Sequence, residues 1–125
     1  MTTKKKQRTR AEYETMTLAE VAYFLTCKGV NDNRRVYDTV VRLNRRWNQH
    51  LVQPQTTEKG TLAPRCQSCS YDKHVELAHL KSVSSFPSTA TLKEINSPDN
   101  VLVLCPNCHY EFDNGLLPLE DIRLR

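Results

Sequence analysis

Four cysteines carry the clearest chemistry in this chain. Cys66 and Cys69 form one CxxC pair, and Cys105 and Cys108 form a second. A CxxC turn lets two thiolates reach one ion from a single tight bend. Two such turns complete the tetrahedral shell of a zinc ion, with Zn–S bonds of ~2.3 Å. Thirty-five residues separate the pairs, so the ion would close a long loop, and the residues inside that loop are candidates for the functional part. The competing readings are disulfides or a redox CxxC. The chain shows no secretory features, and in a reducing compartment matched pairs hold metal more often than they oxidise. The fifth cysteine, Cys27, stands alone in an apolar helical stretch and reads as a small buried hydrophobe.

Residues 75–80, Val-Glu-Leu-Ala-His-Leu, read as a short strand ending at His79. A segment rich in Ser, Thr and Pro follows from 81 to 99. Asn100 then opens a second apolar strand, 101–104, which runs into Cys-Pro-Asn-Cys-His-Tyr-Glu-Phe-Asp. Pro106 suits the first turn of a helix and Asn114-Gly115 its end. On that helix His109 and Asp113 are four residues apart and share a face. The order is a hairpin followed by a helix, with one cysteine pair at each entrance.

This constellation resembles an HNH endonuclease. The stretch from Cys66 to Leu116 matches the family's cysteine pair, strand ending in His, Asn opening the second strand, and Cys-x2-Cys-His with an acidic residue before Gly. The resemblance implies an α+β fold: a ββα-metal (His-Me finger) core stapled by a four-cysteine zinc site. It also implies roles. His79 would be the general base that activates water, Asn100 would orient that histidine, and His109 would be a catalytic metal ligand. Asp113 stands where some members place a second helical ligand. The catalytic ion would be Mg²⁺ or Mn²⁺, distinct from the structural Zn²⁺. These residue types suit phosphodiester hydrolysis: a neutral imidazole takes a proton near pH 7, and a divalent cation stabilises charge on phosphate and leaving oxygen. The chain departs from the family just before the base, where many members carry a ligating Asp or His and this one has Ala78. Glu76 is a candidate assistant, although charged strand residues usually face water. His50 and His74 read as surface histidines.

The elements that must position these groups begin upstream, in a region the resemblance does not cover. Residues 1–65 carry thirteen Lys/Arg against six Asp/Glu, whereas residues 66–125 carry five against eight. The front suits a polyanion and the back suits a cation. Residues 1–10 are basic with no apolar residue after Met1, and we assign 1–14 as a flexible basic arm. Thr17 and Glu20 have capping-box spacing, and Leu18, Val21, Ala22 and Leu25 follow a helical stripe. Gly29 is a stop. A second helix should start at Asn31 or Asp32 and run towards His50, with Val36, Val40, Leu43, Trp47 and Leu51 on one face. Arg34, Arg35, Arg42, Arg45 and Arg46 lie off it and are candidate DNA contacts. The pair, 15–52, is a helical hairpin loosely similar to a helix-turn-helix. Residues 53–64, with Pro54, Gly60 and Pro64, read as a linker, and 65–125 as the nuclease domain.

The sequence thus leads to a metal-dependent DNA endonuclease, acting as a nicking monomer or a double-strand-cutting homodimer. The alternative is a non-catalytic zinc module that binds nucleic acid. No apolar run approaches membrane-spanning length. The expected location is cytoplasmic, in a bacterial or phage-infected cell, or nuclear if the source is eukaryotic.

Overall fold

The computed structural model describes residues 8–30 and 32–124. Half of the expected basic arm, residues 1–7, and the expected helix start at Asn31 lie outside the described residues. The described part of that arm is folded. Thr9 and Glu12 form a capping box that starts helix α1, Arg10–Glu14. Arg8 lies over the Phe24 ring and Arg10 over the Trp47 ring, at 4.8 and 5.4 Å from the ring centres. Two of the arm's cations are thus held by aromatic faces.

Helix α2 spans Leu18–Cys27 and begins with the expected Thr17/Glu20 capping box. Gly29 takes φ of 79°, and Val30 N–H closes back on the Leu25 carbonyl. A left-handed residue is needed for that closure, and glycine adopts it without strain. Cys27, expected to be buried, is exposed, because the buried positions of α2 are Leu18 and Val21. Helix α3 spans Asn33–Trp47, capped by the Asp32 carboxylate on Arg34 N–H at 2.9 Å. It ends before His50, giving way to a 3₁₀ turn over Gln49–Val52. Its buried residues are Val36, Val40, Leu43, Asn44 and Trp47.

The expected linker holds a small antiparallel hairpin, β1 (Gln55–Thr57) and β2 (Gly60–Leu62), with every residue exposed. Strand β3, Glu76–His79, pairs antiparallel with β4, Val101–Leu104, with His79 opposite Val101 and Glu76 opposite Leu104. The intervening chain includes helix α4, Leu92–Ile95. Helix α5, Pro106–Asp113, follows β4 directly, with Pro106 in its first turn and Gly115 at φ 71° beyond its end. The fold is therefore α+β, as expected.

Two apolar cores organise these elements. The first joins Met16, Leu18, Val21, Val36, Val40, Leu43 and Trp47 of the front half to Val83, Ala90, Leu92 and Ile95 from between β3 and β4. It thus draws on both sides of the expected boundary at 53–64. Backbone bonds reinforce it: Leu18 N–H donates to Ala90 O at 3.1 Å and Leu92 N–H to Met16 O at 2.9 Å. The second core gathers Val75, Ala78, Leu102, Val103, Leu104 and Ile122 around Cys66, Cys105 and Cys108. Fully burying one such aliphatic side chain stabilises the fold by ~1.5–3 kcal/mol. His79 ends β3 where the chain leaves the second core for the first.

Candidate active site and metal centre

The four cysteines converge, their sulfurs all within 4.8 Å of one another. Cys69 Sγ and Cys105 Sγ are 3.7 Å apart, too far for a disulfide at ~2.05 Å. The separation matches the ~3.8 Å edge of a tetrahedron with Zn–S bonds of ~2.3 Å. Both turns point backbone N–H groups at sulfur, Cys69 N to Cys66 Sγ at 3.5 Å and Cys108 N to Cys105 Sγ at 3.4 Å. Burial raises the Cys66 thiol, but N–H groups of Cys105, Cys69 and Ser68 outweigh it and bring it to about 7. The Cys108 thiol is pushed up by burial and by hydrogen bonding with the other cysteines. One thiol poised to ionise and the others crowded around it make a donor set suited to a thiophilic cation. The cluster could hold a zinc ion. His74 is not part of it and instead lies 3.7 Å from Glu76.

The second constellation lies across β3 and α5. His109 Nδ1 is 2.6 Å from Glu76 Oε1, and His109 Nε2 is 3.1 Å from Asp113 Oδ2. Both ring nitrogens therefore face carboxylates. Glu76 and Asp113 are open to solvent while His109 is mostly covered, at 24% side-chain exposure. His79 is close enough to feel both α5 residues. Burial pushes its pKa below the usual 6.5, Asn96 and Asp113 pull it partly back, and the His109 charge lowers it further. The outcome is an imidazole that stays neutral at pH 7, the state a proton acceptor needs.

The comparisons with known proteins fit this geometry. Residues 65–120 match the family model described as HNH endonuclease. This segment, a little under half of the chain, is thus similar to HNH endonucleases. No curated protein and no solved structure matches the chain. The HNH segment contains all four clustered cysteines, His79, Asn100, His109 and Asp113. Residues 8–64, with the arginines of α3, lie outside it.

Within the HNH segment, Asn100 is placed differently from the expectation. Its side chain does not hold His79. Its Oδ1 accepts from Lys81 N–H at 2.8 Å, and its Nδ2 donates to the carbonyls of Lys81 and Ile95 at 3.1 and 2.9 Å. Asn100 thereby ties together the two ends of the excursion that leaves β3 and returns to β4. The His79 ring is held instead by Asn96, whose Oδ1 lies 2.8 Å from His79 Nε2. Nothing in the Ser/Thr/Pro-rich stretch marks Asn96 as a partner of His79, because its role depends on tertiary burial. Glu76 had a fainter signal, a charge inside an otherwise apolar strand.

Ala78 is 1% exposed and packs in the second core. Glu76, two residues earlier, projects from the same strand face and supplies the carboxylate that reaches α5. The hollows between α2 and α3, lined by Leu18, Ala22, Val36 and neighbours, contain none of His79, His109 or Asp113.

Proposed function

We propose that the chain is a metal-dependent DNA endonuclease with a ββα-metal core. The observation that carries this reading is the His109–Asp113 pair on α5, set in the same β3–β4–α5 unit whose first strand ends at His79. His79 acts as general base and takes the proton of the attacking water. His109 Nε2 and Asp113 Oδ2 would hold the catalytic ion. The two atoms lie 3.1 Å apart, close enough for both to serve one small hard cation. A bound Mg²⁺ or Mn²⁺ would supply charge stabilisation at the scissile phosphate and the leaving oxygen.

Glu76 completes the pair. Its carboxylate faces His109 Nδ1, so it accepts the Nδ1 hydrogen and leaves the Nε2 lone pair for the ion. A carboxylate behind a ligating histidine fixes its tautomer and raises its basicity. The departure at Ala78 thus leaves a two-ligand site supported from the strand.

Helix α3 supports a polyanion substrate. Arg34, Arg35, Arg42, Arg45 and Arg46 are all exposed, and at 100° per residue they fall within a stripe about 120° wide, opposite the buried face. Among the described residues none is drawn into an ion pair. The stripe grips phosphates, and the zinc-held unit cuts.

The deciding experiment is nicking of a supercoiled plasmid with Mg²⁺, Mn²⁺ or EDTA. The expected result is divalent-dependent nicking that His79→Ala abolishes while fold and DNA binding persist. Salt-sensitive DNA binding without nicking under any metal would instead select a non-catalytic zinc module.

A further inference from the structure

The fully buried polar residues form a connected set. Asn44, Asn48 and Asn96 are 2%, 1% and 3% exposed, the buried polar residues among those described. Asn48 Nδ2 donates to Asn44 Oδ1 at 2.7 Å and to the Asn96 carbonyl at 2.8 Å. Asn96 Nδ2 donates to the Val40 carbonyl at 3.0 Å. Asn96 Oδ1 faces His79 Nε2 at 2.8 Å. A satisfied amide network in a water-poor core is rigid and costly to rearrange. This one runs from helix α3, outside the HNH segment, to the histidine at the end of β3.

The same network fixes the position of a proton. A backbone carbonyl only accepts, so the Asn96 atom facing Val40 must be the amide nitrogen. The atom facing His79 is then the amide oxygen. That oxygen also only accepts, so His79 Nε2 must carry a hydrogen. In the neutral ring the lone pair then resides on Nδ1.

We propose that Asn96, anchored by helix α3, is a positioning residue that locks His79 in its Nε2–H tautomer and leaves Nδ1 as the proton-accepting atom. The catalytic consequence rests on His79 being the general base, whereas the tautomer does not. The helical front half is, on this basis, part of the support of the reactive histidine as well as a surface for substrate. Val40, whose carbonyl anchors Asn96, is completely buried, and helix α3 is held by the first core.

The test has two arms on the zinc-loaded full chain. Long-range ¹H–¹⁵N NMR at neutral pH reads the tautomer, with His79 signals assigned by their loss in His79→Gln. The expected wild-type result is a protonated Nε2 and a bare Nδ1. Asn96→Asp keeps an acceptor and should keep that tautomer, whereas Asn96→Leu removes it and should give mixed tautomers. In the plasmid-nicking arm with Mg²⁺, Asn96→Leu should lower kcat ~100-fold, the scale of a misplaced reacting group, with KM nearly unchanged. A wild-type ring protonated on Nδ1 would overturn the proposal without any variant. So would an unchanged tautomer in a folded Asn96→Leu protein. If the wild type does not nick DNA at all, the nuclease reading falls and the NMR arm still decides the role of Asn96.

Discussion

The Glu76 carboxylate lies 2.6 Å from His109 Nδ1, bridging strand β3 and helix α5. The contact ties helix α5, which carries His109, to the strand that carries His79. Glu76→Gln keeps the volume and can still accept a hydrogen bond, but it removes the negative charge. We expect affinity for Mn²⁺ to fall ~10–100-fold, the usual effect of losing a carboxylate behind a ligating histidine. Zinc content and the thermal transition should be unchanged, because Glu76 is not among the clustered cysteines. Calorimetric titration of the zinc-loaded protein with Mn²⁺ measures this, and unaltered affinity would remove Glu76 from the site.

The environment of His79 sets the pH profile. Burial lowers its pKa, the Asn96 contact and Asp113 raise it in part, and His109 lowers it again. The net direction is down from 6.5, so the neutral form persists to lower pH than in a free imidazole. If His79 is the base, kcat/KM should reach half its maximum only below pH 6.5. A cation at His109 and Asp113 cancels the Asp113 contribution and pushes the same way. Folding stability follows the same sign. The unfolded chain protonates His79 near 6.5 while the folded chain does not, so stability is lost as pH falls from 6.5 through the folded pKa. An acid limb centred above 6.5 would reject His79 as the titrating base.

Cys105 has two roles that one substitution can separate. Its sulfur belongs to the four-cysteine cluster that could hold a zinc ion, and it caps helix α5 by accepting Cys108 N–H at 3.4 Å. Serine is a good helix cap, so Cys105→Ser keeps the cap and removes one thiolate. Any large loss therefore reports the metal. Structural zinc contributes roughly 10–16 kcal/mol of apparent binding free energy in small modules, enough to determine whether the second core forms. We expect zinc content to collapse and the cooperative thermal transition to disappear or move sharply down. Chelation of the wild type should do the same. A zinc-free protein with an unchanged transition would show that the cysteines are not a folding site.

The site was legible in the sequence where spacing alone determines proximity. CxxC pairs, an i,i+4 His–Asp pair and a capping box are local patterns, and Cys66, Cys105, His109, Asp113 and Thr17 stand where those patterns put them. Contacts set by tertiary packing were not legible. Asn96 and Asn100 are both asparagines of one polar stretch, and only the packing of the excursion against α3 sends Asn96 to His79 and Asn100 to Lys81. The interlocking of Leu92 and Ile95 with the front helices was likewise hidden, because a four-residue helix has too little periodicity to show its partner. The β1–β2 hairpin escaped because all its residues are exposed and no apolar alternation marks it.

The arginine stripe on α3 tests whether the front half meets DNA. Arg42, Arg45 and Arg46 are exposed, so replacing all three with alanine removes charge without opening a cavity. Each side chain that neutralises a phosphate contributes ~0.9 to the slope of log K against log salt on duplex DNA. If all three contact phosphates, the triple variant's slope should be shallower by about 2.7, and its affinity at low salt should drop steeply. The thermal transition should stay near that of the wild type. With the β3–β4–α5 face untouched, kcat at saturating plasmid should be largely retained while KM rises. An unchanged salt slope, with weaker cutting traced to kcat, would instead place the arginines away from the substrate path and leave helix α3 as support for Asn96 alone.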